Sequence, residues 1–288
     1  MTRRPRNFNP FTMLALYRLV SGWPLGLLHA VGAALGWLAW LASPTYRRRF
    51  AENSSRAGYP FAQVRAAIAH AGRMATETPR LWFGPPVPVR WEGTELVDAA
   101  YAARRGVVFL TPHLGCFEIT AQAVAARYHA EHGPITVLYR PARQPRLAAV
   151  VESARQREGL QTAPTTLAGV RQMIKALRAG QAVGLLPDQV PPEGMGLWTP
   201  FFGQDAYTMT LAARLLLQTG ASPLLIWGER LARGHGFCVH VRALAEPLAG
   251  ELEPAVAQIN REMERLIREC PQQYLWGYGR YKTPRSGA

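Results

Sequence analysis

"GVVFLTPHLGCFEIT", residues 106–120, decides the fold class. Its first six residues form an apolar run bounded by turn signals, the pattern of a strand buried on both faces rather than alternating between core and water. Pro112 keeps Thr111 extended and out of helical geometry, so His113 emerges just past a strand end, with a helix expected after it.

Working outward, the same pattern repeats. The runs "VPVRWEG" (87–93), "PITVLYR" (134–140), "QAVGLLPD" (181–188), "SPLLIWGER" (222–230) and "FCVHVRAL" (237–244) read as further strands. Residues 95–104, 115–128, 144–157, 165–179, 207–219 and 254–270 read as helices, as does 61–83, with Val64, Ile68, Ala71, Met74 and Ala75 near one face and Pro79 weakening its end. Strands alternating with helices of this length predict an α/β fold with a mostly parallel or mixed central sheet covered by helices. In such sheets binding groups project from loops at the carboxyl ends of strands.

The N-terminal stretch 19–43, "LVSGWPLGLLHAVGAALGWLAWLAS", carries no charged group except a possible His29 proton. Roughly 20 apolar residues suffice to span a bilayer. The segment is long for a signal-peptide core and reads as retained. Gly22 and Gly26, then Gly32 and Gly36, give two G-x-x-x-G spacings that permit close helix contact. Arginines flank both ends and Pro24 interrupts the stretch, so a single span and a helix or hairpin dipping into one leaflet both remain open, beside a buried core helix. Residues 1–45 are read as this membrane-associated segment and 46–288 as one catalytic domain.

The chain of 288 residues carries a formal charge of +14 and 48% hydrophobic residues, which excludes a disordered protein and fits an anionic partner. Lys175 and Lys282 are the only lysines, so arginine supplies nearly all the positive charge. Codon bias explains such an excess as readily as phosphate recognition does. Cys116, Cys238 and Cys270 are widely spaced and odd in number, which argues against a disulfide framework or structural zinc site. No Walker loop, G-x-G-x-x-G or metal-ligand cluster is legible, so neither a cofactor nor a metal is expected.

His113 and Glu118 are the reactive pair of the opening stretch. On an unbroken helix five positions turn through about 500°, leaving the two side chains roughly 140° apart. If the helix starts after His113 that objection lapses, and Gly115 permits the tight turn this needs. The imidazole and the Glu118 carboxylate are then expected within hydrogen-bond reach, leaving the other ring nitrogen as a general base for a substrate hydroxyl. The helix N-terminus would favour nearby negative charge. With no nucleotide loop to activate a free acid, the donor should be an activated acyl group such as a thioester. An ordinary ion pair at a helix start, and an acyl-carrying Cys116, are the alternatives.

These residues resemble a known family. "GVVFLTPHLGCFE" is similar to the H-x4-D/E motif of glycerolipid acyltransferases, and in detail to the lipid A biosynthesis acyltransferases of Gram-negative bacteria. "VLYRP" (138–142), "LLPDQ" (185–189), "PFFGQDAYTMTLAARLLLQTGA" (200–221) and "YLWGYGRYKTP" (274–284) follow in order. The chain departs from the common "GHFGNWE" form at Pro112, Leu114, Cys116 and Phe117.

The resemblance implies His113 as general base with Glu118 assisting, and Arg140 in a lipid-phosphate site. Asp188 falls where related enzymes carry a Glu-Gly-Thr motif. Phe201, Phe202, Gly203 and Thr208 would shape the acyl and acceptor cleft, and Arg280 and Lys282 would meet phosphate or sugar-acid groups. It implies transfer from acyl-acyl carrier protein to a hydroxyl of a phosphorylated glycolipid, a lipid A precursor, without cofactor, metal or nucleic acid. The setting would be the bacterial inner membrane, with the catalytic domain on the cytoplasmic face. Alternative readings are another lipid acceptor (an ornithine lipid, a mannosylated inositol lipid or a lysophospholipid) or a non-catalytic protein binding anionic membranes.

Overall fold

The computed structural model describes residues 10–139 and 157–285, with side chains from residue 14 onward. The helix read at 144–157 lies almost wholly outside the described residues. Among those described, seven strands form one sheet in the order β1-β9-β8-β2-β5-β3-β4. Its members are β1 (Val89–Glu92), β2 (Val107–Leu110), β3 (Ile135–Tyr139), β4 (Leu160–Pro164), β5 (Ala182–Leu185), β8 (Ser222–Arg230) and β9 (Phe237–Arg242). All neighbours run parallel except β8 and β9, which are antiparallel. The six strands expected from sequence are all present.

β2 is central and buried at every position. Val107 and Phe109 join a core with Val97 and Tyr101 of α6 (Thr94–Ala102) and Ile119 and Val124 of α7 (Phe117–His132). Val108 and Leu110 face the opposite core, with Met173 and Leu177 of α8 (Leu167–Arg178), Leu215 of α9 (Leu211–Thr219) and Met263 of α10 (Leu252–Glu269). Successive side chains of a strand point to opposite faces, so a doubly covered strand must be apolar throughout.

Three elements differ from the sequence expectation. Among the described residues β4 is an edge strand paired to β3, and its polar Gln161 and Thr162 hide it from an apolar-run search. Residues 207–209, expected in a helix, complete a two-stranded hairpin of β6 (Gly196–Phe201) and β7 (Gln204–Met209); the helix starts at Leu211. The hairpin turn is Phe202-Gly203, with φ of 47° and 76°. Phenylalanine at a left-handed position is not a turn signal; it is fixed here by its N–H, which donates to Glu264 Oε1 at 2.7 Å on α10. Third, residues 44–56, for which no element was expected, form a helix, α3 (Pro44–Arg56), capped by Ser43, whose hydroxyl accepts from the Tyr46 N–H, and a short α4 (Phe61–Val64) follows.

The N-terminal stretch is two helices, α1 (Pro10–Ser21) and α2 (Leu25–Ala42), broken at Pro24. α2 is long and apolar enough to cross a membrane by length and composition. One face, however, is bound to the body. Gly32 and Gly36 pack backbone to backbone against α5 (Ala66–Phe83), where a Cβ at Gly72 would lie 1.9 Å from the Gly32 carbonyl oxygen. The second G-x-x-x-G spacing thus serves a contact within this chain. The other face carries exposed Leu27, Val31, Leu35, Leu38 and Leu41, continued on α1 by Leu16 and Leu19.

A buried charge cluster completes the attachment. Arg230, at the end of β8, reaches Glu77 of α5 through Nε (2.8 and 3.0 Å) and Nη2 (2.7 Å), and His29 of α2 bonds the same carboxylate at 2.9 Å. Burial works against the Glu77 charge, but Arg230 and His29 outweigh it and hold the carboxyl down at about 2. Removing one partner of such a pair typically costs about 3–5 kcal/mol. Because the Glu77 value is depressed, its contribution is present above the ordinary 4.5 and lost as pH falls toward about 2. Thermal melting of Glu77→Gln should therefore lie well below wild type at neutral pH, with the gap closing between pH 4.5 and 2; a pH-independent gap would contradict this account.

Candidate active site

Strands β2 and β5 pair in parallel with Leu110 opposite Leu185. Three residues beyond each lie His113 and Asp188, and each exit carries a proline one residue earlier, Pro112 and Pro187. The Thr111 N–H donates to the Leu185 carbonyl at 3.1 Å, so the register extends just past the strands. The two exit loops therefore meet. His113 Nδ1 lies 2.7 Å from Asp188 Oδ1, and the His113 backbone N–H donates to Asp188 Oδ2 at 2.9 Å.

Asp188 is 2% exposed and also accepts from the Tyr274 hydroxyl at 3.4 Å. Burial alone would raise its carboxyl; the His113 ring and backbone N–H, with the Arg280 charge beyond, outweigh burial and hold it below the usual carboxylate range. Tyr274 shifts the other way, pushed up by burial and by Asp188, which keeps it a donor. A carboxylate at Nδ1 is an acceptor, so Nδ1 carries a proton, and in the neutral tautomer this selects, the lone pair is on Nε2.

This corrects the expected pairing. Residues 113–116 are not helical and α7 begins at Phe117, as the break required, but the His113 ring nitrogens bond Asp188 and Gln189 rather than Glu118. The Glu118 carboxylate accepts from Trp82 Nε1 at 3.3 Å. A left-handed Gly115 causes the divergence: with φ of 58° it turns the chain before the helix starts, and a Cβ there would lie 2.0 Å from the Gly228 carbonyl. The Gly115 and Cys116 N–H groups donate to Gln273 and Gly228 carbonyls, clamping the turn against β8 and the C-terminal segment.

His113 and Glu118 both line a cavity of about 810 Å³, the larger of the two described here. Its walls are largely apolar: Phe109, Val124, Ile135 and Val137 on one side, Val170, Leu185 and Leu211 on another, with Gly184 leaving the sheet surface bare. Arg214 lines it too, its Nε donating to the Thr210 hydroxyl at 3.2 Å.

A family model described as bacterial lipid A biosynthesis acyltransferase matches residues 2–283. The chain belongs to that family. It is 27% identical over 217 residues to the lipid A biosynthesis palmitoleoyltransferase of Escherichia coli, covering 74% of this chain and 69% of the relative. It is 25% identical over 296 residues to the lauroyltransferase of the same organism, covering 98% and 94%, and 24% identical over 248 residues to its myristoyltransferase, covering 83% and 72%. Membership makes this protein an enzyme that transfers acyl groups in lipid A biosynthesis, with a lipid acceptor.

In this acyltransferase several residues expected to touch substrate lie away from the described cavity. Phe201, Phe202 and Gly203 form the β6–β7 hairpin end, and Thr208 is buried within it; none of the four lines the cavity. The hairpin leads instead into Met209, Thr210, Leu211 and Arg214, which do. Arg280 is 2% exposed and donates to the Tyr207 carbonyl at 2.7 Å and the Thr208 hydroxyl at 2.6 Å. Its charge lowers the Asp188 carboxyl and its donors hold the hairpin, away from the surface. Lys282 is exposed, its ammonium 4.6 Å from the Tyr278 ring centroid, and does not line the cavity. Arg140 lies outside the described residues. Burial, with Glu77 beside it, pushes the Cys116 thiol well up, against an acyl-carrying thiolate.

Among the described residues, Glu92, Cys238 and His240 bring three metal-type ligand atoms together on β1 and β9. His240 is bracketed by Glu92 and Glu229 at 2.9 and 3.0 Å and stacks on Trp227. The group lines neither described cavity. The residues that sequence reading missed are Gln189, Tyr274 and Arg214. The repeated spacing of "LTPH" and "LLPD" after adjacent strands is the signal that joins His113 to Asp188.

An acyl-transfer assay on Asp188→Asn should show kcat reduced by roughly two to four orders of magnitude with the fold retained, since the amide neither fixes the Nδ1 proton nor balances charge on the ring. Near-wild-type turnover would exclude Asp188 as the partner of the base.

Proposed function

We propose that this enzyme moves a fatty acyl chain from acyl-acyl carrier protein to a hydroxyl of a phosphorylated lipid A precursor, with His113 as general base oriented by Asp188. The observation that carries the reading is His113, paired with buried Asp188, at the wall of an apolar cavity of about 810 Å³. His113 Nε2 takes the hydroxyl proton as the oxygen attacks the thioester carbonyl carbon. The carbon–sulfur bond then breaks, the ester forms, and the leaving thiolate takes that proton back from the imidazole. The N-terminus of α7, whose Phe117 and Glu118 line the cavity, would favour the oxyanion through the positive end of the helix dipole. Glu118 assists from the cavity wall, positioned in the first turn of α7 to engage the acceptor rather than the imidazole.

Arg214 at the cavity supports recognition of phosphate, as does the overall charge of +14, which also suits an acidic carrier protein. The lauroyl, myristoyl and palmitoleoyl relatives leave chain length open between them, and the acceptor reading follows their shared class.

The enzyme lies on the cytoplasmic face of the inner membrane with α1 and α2 in one leaflet. Taking α2 across the bilayer would drag Arg73 and Glu77 of α5 into hydrocarbon, because Thr76 donates to the Leu28 carbonyl and His29 bonds Glu77. Lying flat, α2 keeps those contacts and buries its exposed leucines, with Arg48, Arg49 and Arg56 of α3 exposed nearby for anionic headgroups.

Purified enzyme incubated with acyl-acyl carrier protein and a phosphorylated glucosamine lipid should give an acceptor heavier by one acyl group in mass spectra, and folded His113→Ala should give roughly a thousandth or less. Absence of product with wild type across candidate acceptors would defeat the acyl-transfer reading. Separately, a Leu35→Glu/Leu38→Glu variant should keep its melting temperature while binding anionic vesicles at least about tenfold more weakly. Equal binding would remove the leaflet assignment.

A further inference from the structure

The lone pair that must accept the substrate proton is already occupied. Gln189 Nε2 lies 3.0 Å from His113 Nε2, while Asp188, the preceding residue, lies 2.7 Å from His113 Nδ1. One loop therefore grips both ring nitrogens. In the neutral ring whose Nδ1–H donates to the Asp188 carboxylate, Nε2 accepts, and the Gln189 amide N–H is its donor. The loop is itself fixed: the Val190 N–H donates to the Tyr278 hydroxyl at 3.0 Å, and Gln189 lines the cavity.

From this geometry we infer that Gln189 caps the base in the resting enzyme and yields it to the acceptor hydroxyl, so that it sets how acyl groups divide between acceptor and water. The inference rests on the acyl-transfer reading above. A water reaching Nε2 beside a bound thioester would be deprotonated just as a substrate hydroxyl is; it would attack the same carbonyl, break the carbon–sulfur bond and release a free fatty acid and thiol. To do so it must displace a tethered amide donor. An acceptor positioned in the cavity by its own contacts displaces that donor at far less disadvantage. Gln189 is thus a positioning residue whose effect falls on water more than on substrate.

Gln189→Met keeps about the same size and removes the N–H donor without adding charge; Gln189→Ala removes both. Each is compared with wild type by mass spectrometry of free fatty acid and acylated acceptor, using acyl-acyl carrier protein with and without a phosphorylated glucosamine lipid. Both variants should melt as wild type does and raise the ratio of hydrolysis to transfer by about tenfold, the equivalent of one hydrogen bond. An unchanged ratio, or hydrolysis and transfer falling together, overturns the inference. A second readout does not depend on acyl transfer: carbethoxylation of His113 by diethyl pyrocarbonate, followed by peptide mass, should run about tenfold faster in Gln189→Ala than in wild type. An unchanged rate overturns the cap even if wild type proves to transfer nothing, a result that would sink the functional reading on its own.

Discussion

The parallel pairing of β2 with β5 is the constraint on which the site depends. Leu110 opposite Leu185 fixes where both chains leave the sheet, and the same short exit, closed by a proline, delivers His113 and Asp188 to one point. A slip of one residue would send alternate side chains to the wrong face and part the pair, and the fully buried β2 makes such a slip prohibitive. Core packing thus specifies the geometry of the His113–Asp188 pair, although the two residues are 75 positions apart.

Around this point the chain invests buried polar groups where sheet, loops and helices must keep their spacing. Asp188 is satisfied by His113 and Tyr274, with Arg280 behind it holding the β6–β7 hairpin. Arg230 and Glu77 perform the corresponding task on the other side, joining the end of β8 to α5 and, through His29, to α2. Cys116 N and Gly228 O lie between the two clusters, so the turn that presents His113 is braced from both directions. Buried ion pairs add little net stability over apolar packing, but leaving one partner alone is costly, and that cost enforces a single arrangement.

Much of this was legible in sequence. Apolar runs such as "GVVFLT" name their strands because a doubly covered strand has no polar face to show. His113 at a strand exit, the helix break before Phe117 and the close approach allowed by Gly36 follow from local residue chemistry. The partner of His113 did not, because Glu118 is near in sequence whereas Asp188 is near only through strand pairing. The surroundings of Arg280 were hidden for a related reason: the resemblance implies contact with phosphate or sugar-acid groups, and only the packed hairpin reveals donors directed at Tyr207 and Thr208. The turn at Phe202 was hidden because its left-handed backbone is enforced by a contact with Glu264 and not by its own preference.

The central claim is that Asp188, not Glu118, fixes the His113 proton. It can be read directly by nitrogen-15 NMR of enzyme labelled at its seven histidines, with His113 assigned by substitution. The expected spectrum shows a proton held on Nδ1, lost or moved to Nε2 in Asp188→Asn and unchanged in Glu118→Gln. A proton on Nε2 in wild type, or a tautomer that responds to Glu118 and ignores Asp188, would contradict it.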